Sequence, residues 1–147
     1  MASVRVDADD EDFYAVEAVM DRSVRAGGPV KVGERVFRPE PEQPFSTLGQ
    51  AQLFCTLTCI ENGWPMVQVR FSRGDRYSFC DYVAGEIALT SRGGNRTTLC
   101  HELAHHGIGP GHAHDAVFAE AYARLLSSTG APQQAALLQA LLSANGR

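Results

Sequence analysis

The chain has 147 residues, 20% of them charged and 44% hydrophobic, a balance that fits one compact domain spanning 1–147 and excludes a disordered or fibrous chain. Its net charge is −4 and no stretch concentrates Lys and Arg, so no direct nucleic-acid partner is expected. No apolar run is long enough to cross a bilayer and no basic segment leads into an apolar one at the N-terminus, so a cytoplasmic protein is expected, with Cys55, Cys59, Cys80 and Cys100 as reduced thiols.

The acidic run Asp7, Asp9, Asp10, Glu11 and Asp12 is a solvated lead into a helix. From Phe13, the residues Val16, Met20 and Val24 recur at helical spacing until Gly27-Gly28-Pro29 stops the pattern. Val30 to Phe37 is weakly extended, and Pro39, Pro41 and Pro44 form a stiff connector without chemistry of its own. Thr47 with Gln50 makes a capping box for a second helix that ends near Asn62-Gly63. Cys55 and Cys59 share a face of that helix, but their apolar surroundings mark them as small core residues rather than metal ligands.

After Trp64-Pro65 the alternation of Val67, Val69 and Phe71 with polar residues predicts a strand. Arg73-Gly74-Asp75 predicts a turn into Tyr77, Phe79 and Asp81, hence a hairpin. A third extended run, Glu86 to Ser91, follows the Ala84-Gly85 break, and Arg92-Gly93-Gly94-Asn95 ends it. Asn95 is a cap for the next helix, which the glycines at 107, 109 and 111 and Pro110 stop beyond His106. Two more helices are expected, from about Ala113 to Ser127 and from Pro132 through Leu142. The expected fold is α+β: a small antiparallel sheet packed against the histidine-bearing helix, with N- and C-terminal helices.

The chemistry is concentrated in Thr98-Leu99-Cys100-His101-Glu102-Leu103-Ala104-His105-His106, which contains HExxH on a predicted helix. Residues four apart lie one turn above each other, so His101 and His105 can face one metal ion. Glu102 projects about 100° round the axis, beside the metal without ligating it, where it can take a proton from a bound water. Leu99 and Leu103 anchor another side of the helix to the core. A catalytic zinc requires a third protein ligand and one open position. The downstream candidates are His112, His114 and Glu120, with His114 favoured because it would open the next helix and has Phe118 one turn on.

The run HELAHH, a short Gly/Pro turn and His114-x-x-x-Phe118 resembles the SprT-like small zinc metallopeptidases and related actinobacterial metallohydrolases. In those families the third ligand heads a His-Gly-Pro-Glu-Phe-type segment, of which His114-Asp115-Ala116-Val117-Phe118 matches the histidine and the phenylalanine. The resemblance implies a zincin-like fold, one Zn2+ per chain on His101, His105 and His114, Glu102 as general base, and a peptide or protein substrate. It also implies that the strand before the motif helix, Glu86 to Ser91, pairs with an extended substrate. Tyr122 is a candidate oxyanion donor that its apolar neighbours place in the core instead, and His106 is a helix-end residue facing terminal carbonyls. Asp115 and Glu120 are candidate partners for a ligand imidazole, with an exposed helix-face role favoured. Competing readings are a zinc-dependent endoribonuclease and a binding module with a structural zinc. A structural site has no need of Glu102 and fills its fourth position with protein, as joint use of His112 and His114 would do.

Overall fold

The computed structural model of the chain describes residues 11–90 and 94–147. Asp7, Asp9 and Asp10 of the acidic run and Ser91, Arg92 and Gly93 of the expected turn lie outside the described residues. The elements follow in the order α1 (Glu11–Ala26), β1 (Val30–Val32), β2 (Arg35–Phe37), α2 (Leu48–Asn62), β3 (Gln68–Phe71), β4 (Phe79–Asp81), β5 (Glu86–Leu89), α3 (Arg96–Ile108), α4 (Ala116–Ser128) and α5 (Pro132–Ala144). The fold is α+β, and no described helix is long and apolar enough to cross a membrane.

The helices form where the apolar period and the caps agree. Phe13, Val16, Met20 and Val24 of α1 are buried, as their spacing requires. Thr47 Oγ1 accepts from Gln50 N–H, and Gly63 closes α2 in the left-handed conformation with φ of 68°. The capping box is shifted by one residue, because Gln50 Oε1 accepts from Ser46 N–H. Asn95 Oδ1 accepts from Thr98 N–H at the start of α3, and Asp115 Oδ1 from Phe118 N–H at the start of α4. Helix α3 runs two residues beyond His106 to Ile108, and α4 begins three residues later than expected, so His114 precedes the cap instead of opening the helix. Val30 to Phe37 is a two-stranded antiparallel hairpin, β1 with β2.

The three-stranded sheet corrects the sequence reading. Its order is β3-β5-β4, with β3 parallel and β4 antiparallel to β5, so it is mixed and β3 does not form a hairpin with β4. The hairpin is β4 with β5, turned by Asp81, whose Oδ1 accepts from Val83 N–H and Ala84 N–H. The Ala84-Gly85 break is therefore the turn itself. Burial explains the order: Ile87, Ala88 and Leu89 are fully buried, as a central strand requires, whereas β3 buries Val69 and leaves Gln68 and Phe71 exposed. Flanked on both sides, β5 offers no free edge to a substrate, which corrects the role expected of Glu86 to Ser91.

Two irregular segments hold α3 in place. The proline-rich connector forms a bridge between Pro44 and Asn95, and Gln43 C=O accepts from Arg96 N–H. Buried Arg96 donates to Pro41 C=O at 3.0 Å and to Thr129 C=O, while Thr97 Oγ1 lies 2.5 Å from Glu42 Oε2. The connector thus aligns the first turn of α3. At the other end His106 Nε2 lies 2.6 Å from Pro65 C=O, a partner on another segment rather than the terminal carbonyls expected from the sequence. A Cβ on Gly107 would overlap the Trp64 indole. Gly107→Ala should lower the melting temperature, because overpacking costs about 1–3 kcal/mol and exceeds the roughly 1 kcal/mol gained in helix propensity. Thermal denaturation of Gly107→Ala alone and with Trp64→Leu checks this, the second background being expected to remove the penalty.

Candidate metal centre and cleft

Helix α3 is buried on most of its circumference, so its polar residues must be matched from other elements. His101 and His105, one turn apart, are 3% and 0% exposed. Beyond Ile108 the backbone turns through Gly109, at φ of 86°, whose N–H donates to His105 C=O. The reversal brings His114, also fully buried, back against the same face. His114 Nε2 lies 3.1 Å from His101 Nε2 and 3.2 Å from His105 Nε2, and one ring nitrogen from each residue falls within 4.8 Å of the others.

This donor set fits a metal ion. Ligand nitrogens about 2.0–2.1 Å from a tetrahedral zinc stand about 3.3 Å apart, close to the 3.1 and 3.2 Å from His114 to the other two rings. One N–H of His114 can be donated to only one neighbouring nitrogen at a time, whereas a cation accepts lone pairs from all three. Three buried histidines lying close together can therefore hold a metal ion.

Of the three candidates for the third position, the structure brings His114 to His101 and His105. His112 is turned away, with Nδ1 2.7 Å from Asp115 Oδ2, and Glu120 is exposed and paired with Arg124 at 2.9 Å. Asp115 thus caps α4 and holds His112, not one of the three clustered rings. Burial alone would raise its carboxyl, but the Phe118 N–H and the His112 ring outweigh it and hold it below the ordinary carboxylate range.

Aromatic rings enclose the cluster. Phe13 stacks on His114 with centroids 4.7 Å apart and planes 8° apart, and Phe118 stacks on His105 at 4.2 Å and 24°. Tyr14 lies parallel to His101 at 6.2 Å and to Tyr77 at 5.9 Å. Such packing fixes ring orientation and keeps water from the core side.

On the remaining side a cleft of about 220 Å³ opens, lined by His101 and Glu102 from α3, Tyr14, Glu17 and Asp21 from α1, and Tyr77 from the segment before β4. Glu102 is 3% exposed and reaches this cleft beside His101. Burial, reinforced by Glu17 and Glu42, pushes the Asp21 carboxyl up to about 7. The cysteines do not join the cluster: all four are buried and none is in a disulfide. Burial pushes Cys100 up to about 12 and raises Cys55 and Cys59 as well, which disfavours thiolate ligation.

Sequence reasoning missed Phe13, Tyr14 and Glu17. A signal for Glu17 was present, since it lies one turn from both Phe13 and Asp21 beside the buried stripe of α1, where a carboxylate needs a partner. Tyr122, placed in the core by its neighbours, is fully buried there, and its hydroxyl donates to Glu17 Oε2 at 2.7 Å. Compared with protein-family models, curated proteins and solved structures, the chain finds no match in any of the three.

Metal content by elemental mass spectrometry on untagged protein should give about one equivalent per chain in wild type and His112→Ala, and a loss in His114→Ala. Loss in both variants would show that His112 also takes part.

Proposed function

We propose that this chain is a zinc-dependent hydrolase of zincin type that cleaves a peptide or amide bond, with the ion held by His101, His105 and His114. The observation that carries this reading is that buried Glu102 shares the wall of one cleft with His101, one of three converging imidazoles. Imidazole nitrogen suits zinc among the common divalent ions, and zinc bound there supplies a Lewis acid and a water of lowered pKa.

The side chains then divide the work. The three histidines bind, each constrained by an aromatic ring in parallel or stacked contact. Glu102 accepts a proton from water in the cleft and returns it to the departing amine. The hydroxyl of Thr98 and the rings of Tyr14 and Tyr77 line the space in which the groups flanking the scissile bond would lie. The segment Arg76–Ser78, leading into edge strand β4, borders that space and is the place where an extended peptide would pair, in the role expected of β5 from the sequence.

Two observations favour this reading over its competitors. His112 is held by Asp115 and so does not fill a fourth position at the three histidines, as the closed site of a structural ion would require. The cleft wall carries Glu17, Glu102 and the partly ionised Asp21 against Arg76, a charge balance that does not favour a phosphate backbone and so disfavours an endoribonuclease. The four buried thiols, none of them in a disulfide, suit a reducing, cytoplasmic setting.

Glu102→Gln should keep about one zinc per chain and lower turnover about 10²–10⁴-fold, the usual worth of a general base. Cleavage of a peptide library, read by mass spectrometry beside the zinc content of the same sample, checks this. Undiminished cleavage by a zinc-loaded Glu102→Gln chain would sink the mechanism.

A further inference from the structure

The outer nitrogen of His101 faces α1. Its Nδ1 lies 2.7 Å from Glu17 Oε2, and the same oxygen accepts from the Tyr122 hydroxyl at 2.7 Å. The His101 and Glu17 side chains are 4% and 13% exposed, so little water competes. A carboxylate oxygen that takes two hydrogen bonds is an acceptor in both, which places the hydrogen of His101 on Nδ1. Burial, with Glu17 beside it, holds the Tyr122 phenol well above its ordinary range, so it stays a donor.

We propose that Glu17 is a positioning residue that sets the metal affinity of the three-histidine site, by holding His101 as the Nδ1–H tautomer with the Nε2 lone pair turned toward His105 and His114. The inference rests on the metal reading above and adds to it the contribution of a helix that carries none of the three histidines. Three features of the geometry support it. The hydrogen bond fixes both tautomer and ring plane, and the negative charge makes the opposite nitrogen a better donor to a cation. Tyr122 occupies the oxygen that faces His101, which prevents the carboxylate from swinging away. Phe13 and Tyr14, one turn before Glu17, pack against His114 and His101, so the first turns of α1 act on two of the three rings.

The opposite role makes an opposite prediction. A carboxylate whose purpose is to stabilise a doubly protonated His101 competes with metal ligation, and its removal tightens binding. The experiment is zinc affinity by competition with a chromophoric chelator, for wild type, Glu17→Gln and Tyr122→Phe. Circular dichroism and melting in chelator serve as the fold control. Long-range 15N–1H correlation of the zinc-free wild type reads the His101 tautomer independently of any variant.

The expected result is a loss of affinity of about 10- to 100-fold in Glu17→Gln, a smaller loss in Tyr122→Phe, and an Nδ1–H pattern for His101. Unchanged or tighter zinc binding by folded Glu17→Gln, or an Nε2–H tautomer in wild type, overturns the inference while leaving the metal reading standing. A wild type that binds no zinc overturns both. Should Glu17→Gln fail to fold, Tyr122→Phe and the tautomer decide.

Discussion

Three imidazole nitrogens brought to one point within a protein core constrain everything around them. Each ring is polar on two sides, and burial of either side without a partner costs free energy comparable to that of a core packing defect. The chain assembles the cluster from four places in sequence: the turn spacing of α3, the Gly109 reversal, the residue before the cap of α4 and the first turns of α1. The aromatic packing of Phe13, Tyr14 and Phe118 follows from the same need, since flat apolar surfaces can orient an imidazole without competing for its nitrogens.

The motif helix shows how such a demand reorganises an element. A surface helix divides into an apolar stripe and a wet face, whereas α3 buries Leu99 and Leu103 together with Arg96, Thr97, His101, Glu102 and His105. Three of these polar side chains are met from different segments. The proline-rich connector and the end of α4 receive Arg96, Glu42 receives Thr97, and Glu17 receives His101. The connector, which the sequence marks only as stiff, therefore takes a direct part in aligning the helix. Glu102 reaches the cleft that lies between α3, α1 and the segment before β4.

Local rules made much of this legible. Caps at Thr47 and Asn95, the glycine stop at Gly63 and the apolar periods of α1 and α5 each depend on neighbours within one or two turns. The histidine pair His101 and His105 is of the same kind, being fixed by one helical turn. Strand order was not legible, because β3 and β4 border a strand that comes after both, and a turn residue such as Gly85 does not announce which runs it joins. The choice of His114 over His112 turned on the direction in which one loop reverses, and sequence spacing supports both. Glu17 lies 84 residues from His101, beyond the reach of any spacing rule, and only its place beside an apolar stripe hinted at a buried partner.

That separation bears on the order of assembly. His101 and His105 become neighbours as soon as α3 winds, and His114 joins them by closing a short loop, all of it local and fast. The bonds from Glu17 to His101 and Tyr122 span 84 and 105 residues, so α1 must find its berth across nearly the whole chain. A cation that favours the berthed form lends its binding free energy to that form alone. Were the proposed ion bound there, its supply would act less on whether the α3–α4 core folds than on how firmly the N-terminal helix stays fastened to it.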